Sequence, residues 1–119
     1  MKKECSVRKA VNFLGKRWTL LILLELYKGS SDWKRYSQLK KELPEITSKI
    51  LSLRLKELEK ENLIKRKIDT AVFPIKSEYS LTKSGNDFIK IIKNIKNWSL
   101  KWKIKNKQCK TSDCKVCNI

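Results

Sequence analysis

The sequence predicts a small, mainly α-helical fold with one β-hairpin, arranged as a winged helix-turn-helix between an N-terminal and a C-terminal helix. Three observations predict it. Two helical stretches meet across the short turn Leu43–Thr47. The second of them runs into two strand-like segments separated by a loop containing Pro74. Only 2 prolines and 3 glycines punctuate the 119 residues, too few for a many-turned sandwich or barrel. A chain of this length makes one domain. We expect the winged domain over residues 1–105 and a cysteine-containing tail over residues 106–119.

In chain order, Val7, Ala10, Val11 and Leu14 recur at helical spacing between Cys5 and Leu14, and Gly15 ends that helix. Trp18 to Leu26 is apolar nearly all round, which marks a helix packed on several sides. Gly29–Asp32 reads as a loop. Ser37 is a candidate cap for a short helix that turns Leu39 and Leu43 inward and stops before Pro44, because the residue ahead of proline resists helical angles. Thr47 is a second N-cap, opening a helix from Ser48 to about Asn62 with Leu51, Leu55 and Leu58 inward. Leu63–Ile68 and Lys76–Leu81 suit strands, the latter with Tyr79 and Leu81 on one face. Thr82 caps a long final helix whose Phe88, Ile91, Ile92, Ile95, Trp98 and Trp102 are expected on one side.

Charge narrows the function. There are 29 lysines and arginines against 12 acidic residues, a net charge of +17, with a pI near 9.9. Such a surface attracts polyanions, nucleic acid first and anionic lipid second. No stretch approaches the roughly 20 apolar residues of a membrane span, and the N-terminus lacks a secretory pattern, so a cytoplasmic protein without a membrane partner is expected. Histidine is absent. That removes the commonest general base and metal ligand; with no phosphate loop or nucleophile–base pair either, an enzyme is not expected.

In this order and spacing, four stretches resemble the HxlR-type family of bacterial and archaeal regulators. They are Cys5 ahead of a helix leading into Gly15–Leu23, then Arg35–Leu39, then Leu43–Leu51 running on to Glu59, and finally Glu78–Gly85. The likeness covers Cys5 to about Trp102. Two departures stand out: a single glycine, Gly15, precedes Lys16 and Arg17 where the family usually has two, and the loop Gly29–Lys34 is longer and carries Trp33. The resemblance implies a DNA-binding regulator, commonly a repressor, whose first and last helices pack across a two-fold axis. We expect a homodimer on a palindromic operator, its recognition helices about one DNA turn apart. Val7, Val11, Phe88, Ile92, Ile95, Trp98 and Trp102 are the expected interface, unless the two tryptophans fold back on their own core.

A recognition helix presents its N-terminal residues to base edges, here Thr47, Ser48, Lys49 and Ser52. Thr47 and Ser48 could equally be plain caps. Arg54 either reaches DNA or braces the helix through Glu57 or Glu61. Ser37 and Gln38 with the neighbouring Lys34 and Arg35, and Lys65, Arg66, Lys67 and Lys76 on the wing strands, are expected on phosphate or minor groove. A non-specific, nucleoid-type nucleic-acid binder is the alternative function, using the same charge without sequence preference.

The cysteines leave three readings open. The resemblance implies that Cys5 is a redox or electrophile sensor, with Lys2, Lys3 and Arg8 placing positive charge beside it; a small buried residue is the alternative. Cys109, Cys114 and Cys117 lie outside the resemblance. With Cys5 they could hold zinc or an iron–sulfur cluster, they could form a redox disulfide, or they could have no role. No cofactor is required by the fold.

Overall fold

The computed structural model describes residues 5–104, 110 and 113–115. Helices α1 (Ser6–Leu14) and α2 (Thr19–Tyr27) lead to a short strand β1 (Lys34–Arg35). The helix-turn-helix follows as α3 (Tyr36–Glu42) and α4 (Ser48–Lys60), then the wing as β2 (Ile64–Asp69) and β3 (Lys76–Leu81), then the long α5 (Lys83–Trp102). This is the expected winged helix-turn-helix.

The strands form one antiparallel sheet in the order β1-β3-β2, with Arg66 opposite Tyr79 and Lys34 opposite Tyr79 on the other edge. β1 has no counterpart in the sequence reading, where Lys34 closes the preceding loop. Two residues carry no alternation to read, and it is pairing with β3 that makes them a strand. That pairing holds Arg35 extended, so α3 starts at Tyr36 with Arg35 as N-cap. Ser37 therefore lies inside the first turn, correcting its assignment as cap.

α4 begins as expected, Thr47 Oγ1 accepting from the Ile50 N–H at 3.2 Å. It ends two residues early, at Lys60, because Asn62 adopts a left-handed conformation (φ 64°). The Leu63 N–H then reaches the Leu58 carbonyl at 3.0 Å and the Asn62 N–H the Glu59 carbonyl at 3.1 Å, the paired bonds of a Schellman ending. Leu63 is thereby turned into the core.

That core joins Ile22, Leu23 and Leu26 of α2 to Leu39, Leu51, Leu55 and Leu58 of the helix-turn-helix, Ile64, Tyr79 and Leu81 of the wing, and Ile89 and Ile92 of α5. Thr82 caps α5, accepting from the Gly85 N–H at 3.2 Å. Gly85 is required by close approach: a Cβ there would lie 2.1 Å from the Leu63 carbonyl oxygen.

The expected single stripe on α5 is in fact two. Ile89 and Ile92 are buried in the domain's own core with Phe88 packed beside them, while Ile91, Ile95, Trp98 and Trp102 run along the outside. Neighbouring isoleucines at 91 and 92 cannot share a helix face, which the sequence pattern obscured.

Candidate nucleic-acid interface

α4 turns Lys49, Leu53 and Lys56 outward at a spacing of four and three, one row along the helix. Thr47 and Ser48 are exposed at its head, and no acidic side chain interrupts the row. Thr47 also performs the cap, so its hydroxyl does the structural task while remaining at the surface. Leu53 escaped the sequence reading. It lies off the Leu51–Leu55–Leu58 stripe, and that offset was the available signal; it is 46% exposed amid cations, where an apolar group suits a thymine methyl.

Tyr36, also missed as a site residue, ties α3 to the head of α4. Its hydroxyl donates to the Ser48 carbonyl at 2.9 Å and accepts from Ser52 Oγ at 3.2 Å.

Arg54 is a tether. Its Nε donates to the Arg17 carbonyl at 3.1 Å and its Nη1 to Glu57 Oε1 at 2.6 Å. Glu57 accepts from Lys16 as well, and that hydrogen bond, with Arg54's in support, holds its carboxyl below the usual glutamate range. The α1–α2 turn is thereby bolted to α4.

Lys34 was expected on DNA and is corrected by its burial: on β1 it is only 5% exposed. Its ammonium donates to the Glu25 carbonyl in the last turn of α2, a favourable place for a cation. Burial lowers its pKa, with Glu25 opposing. Arg35, Ser37, Gln38, Lys65, Arg66 and Lys67 are exposed and Lys76 half-exposed. Lys65 and Lys67 share one face of β2, where both ammoniums lie over the Trp33 ring, at 5.5 and 4.5 Å from its centre. The loop that carries Trp33 thus serves as a rest for wing lysines. At the wing tip Phe73 is 98% exposed, an aromatic the sequence reading left in the loop without a role.

Elsewhere, Val7 and Val11 on α1 and Ile91, Ile95, Trp98 and Trp102 on α5 leave large apolar side chains in solvent. Trp98 and Trp102 do not fold back on the core. Ile92, expected at a dimer interface, is instead a core residue, and Phe88 packs against that core.

Cys5 is the N-cap residue of α1, exposed and free, while Cys114 is half-buried and free. Cys109 and Cys117 lie outside the described residues, and among the described residues no three cysteine or acidic side chains gather as metal ligands. Lys115 returns to the end of α2. The Gly29 N–H donates to its carbonyl at 2.8 Å, and its ammonium donates to the Tyr27 carbonyl at 3.0 Å.

The family model described as HxlR-like helix-turn-helix matches residues 13–107. YvaP of Bacillus subtilis (strain 168), described as an uncharacterised HTH-type transcriptional regulator, is 40% identical over 94 residues, 79% of this chain and 83% of that protein. A solved MarR-family transcriptional regulator from Porphyromonas gingivalis W83 superposes with a TM-score of 0.74 at 34% identity, over 86% of this chain and 96% of that one. The reduced form of the regulator YodB from B. subtilis gives 0.71 at 30% identity, over 87% and 99%. YodB is also solved after diamide treatment and with quinone bound.

Proposed function

This chain belongs to the HxlR-like helix-turn-helix family, and on that premise we propose that it is a homodimeric repressor binding a palindromic operator in double-stranded DNA. The observation that carries the reading is the outward row of α4, Lys49, Leu53 and Lys56 below Thr47 and Ser48, with the basic β2 immediately after it. A helix so equipped has cations for phosphate, hydroxyls for base edges and an apolar contact for thymine.

Support for the homodimer is the outer stripe of α5 with Val7 and Val11 of α1. An apolar surface of this extent is unusual on a monomer. Support for a thiol response is Cys5, free and exposed, together with a relative solved in reduced, diamide-treated and quinone-bound forms. We read the protein as a binding protein without catalysis, acting in the cytoplasm. Among the described residues no helix is long and apolar enough to cross a membrane.

The deciding experiment is selection from a random duplex pool with reduced protein, repeated after mild oxidation, with sedimentation to give the oligomeric state. A palindromic motif bound by a dimer only in the reduced state supports the sequence-specific, homodimeric and thiol-responsive parts of the proposal. A motif indifferent to oxidation removes the thiol response. Salt-sensitive binding with no enriched motif replaces the regulator by a non-specific nucleic-acid binder.

A further inference from the structure

We infer that Tyr36 fixes the hydrogen-bonding polarity of Ser52, so that the recognition helix presents an acceptor which reads the exocyclic amino group of adenine or cytosine. The inference rests on the reading of α4 as the helix that enters the major groove, and adds to it a specificity that the family likeness does not supply.

The Ser48 carbonyl carries no proton, so in its 2.9 Å contact with Tyr36 it can only accept. The phenol has one proton, and this contact uses it. The Tyr36 oxygen must then accept in its 3.2 Å contact with Ser52, and Ser52 must donate. A serine hydroxyl likewise has a single proton. With it committed to Tyr36, Ser52 Oγ offers the surroundings lone pairs alone.

That outcome is selective. Phosphate oxygens, guanine O6 and N7, adenine N7 and thymine O4 are all acceptors, and lone pairs facing lone pairs repel. The only donors on base edges in the major groove are the adenine N6 and cytosine N4 amino groups. Ser52 is half-exposed beside the Lys49–Leu53–Lys56 row, so its free side is open to a ligand while Tyr36 closes the other. Tyr36 is in this sense a positioning residue: it need not touch DNA to decide which base Ser52 accepts. A serine without that partner could turn its proton outward, and would take a donor or an acceptor alike.

The test is selection from a random duplex pool with the full chain as wild type, as Tyr36→Phe and as Ser52→Ala. Alanine is a favourable helix residue, so Ser52→Ala keeps the test decisive if Tyr36→Phe fails to fold. The wild type is expected to restrict one position of each half-site to adenine or cytosine, about fivefold to tenfold over guanine or thymine. Both variants should relax that position to within about twofold and leave the others unchanged. A duplex with that adenine replaced by purine lacking the 6-amino group should weaken wild-type binding by the same factor and leave Ser52→Ala unaffected. The inference is overturned, with DNA reading intact, if a motif survives and no position changes in either variant. It is equally overturned if the Ser52-dependent position prefers guanine or thymine. A pool with no enriched motif overturns the sequence-specific reading itself, and this inference with it.

Discussion

Replacing Glu57 by glutamine tests whether the bolt between the α1–α2 turn and the recognition helix holds the domain together through charge. Two cations converge on this carboxylate. Arg54 is mostly buried, its side chain 14% exposed, and its contact at 2.6 Å is a charge-assisted hydrogen bond of the class that contributes about 1.5–3 kcal/mol. Lys16 is 43% exposed, and solvent reduces a pair of that kind to about 0.2–1 kcal/mol. Glutamine still accepts one neutral hydrogen bond and returns part of the loss, so the expected net effect is about 2 kcal/mol. For a domain of this size that corresponds to a melting temperature lower by roughly 8 °C. The sign with pH follows from the depressed carboxyl. Its contribution is complete above the unfolded glutamate pKa and disappears as pH falls through the lower folded value. Melts of wild type and Glu57→Gln, followed by circular dichroism at equal protomer concentration, should therefore differ at pH 7 and differ by less at pH 3. An equal gap at both pH values would show that shape rather than charge makes the contact, and no gap at pH 7 would refute the bolt altogether.

Lys34→Met should remain within about 1 kcal/mol of wild type, since it removes a charge that burial already disfavours. The salt slope of its DNA binding should be unchanged, whereas Lys49→Gln should lower that slope by about 0.9, the loss of one phosphate contact. Gly85→Ala should destabilise by about 3 kcal/mol in chemical unfolding, because its methyl would overlap the Leu63 carbonyl at the base of the wing. Trp98→Glu, at a site 55% exposed in the single chain, should leave helix content intact while shifting sedimentation from dimer to monomer. A dimer that persists in this variant places the interface elsewhere.

The fold was legible because its signals are local: Thr47 and Thr82 cap the helices assigned to them, and the Leu51–Leu55–Leu58 spacing declares the buried face of α4. What escaped depended on partners distant in the chain. Lys34 reads as one more surface cation until β3 pairs with β1 and draws it inward. Arg54 looked as able to meet phosphate as Glu57, and only the Arg17 carbonyl, contributed by another element, decides its direction. Tyr36 was visible within the family motif, but its hydroxyl acquires meaning only when the turn brings Ser48 and Ser52 against it. On α5, adjacent isoleucines made two faces look like one, and the core selected Ile89 and Ile92.

The resting place of Lys65 and Lys67 on Trp33 bears on how the protein would travel along a duplex. A lysine that engages a phosphate must leave the ring, forfeiting about 0.5–1 kcal/mol of cation–π attraction. Lys65 and Lys67 therefore carry a competitor for any phosphate contact they make. On the proposed reading, backbone contacts, which every sequence offers, are weakened by that competition, while contacts of α4 with base edges are untouched. On the proposed reading, residence on any duplex shortens by that common factor, and a chain of charge +17 gains a means of letting go.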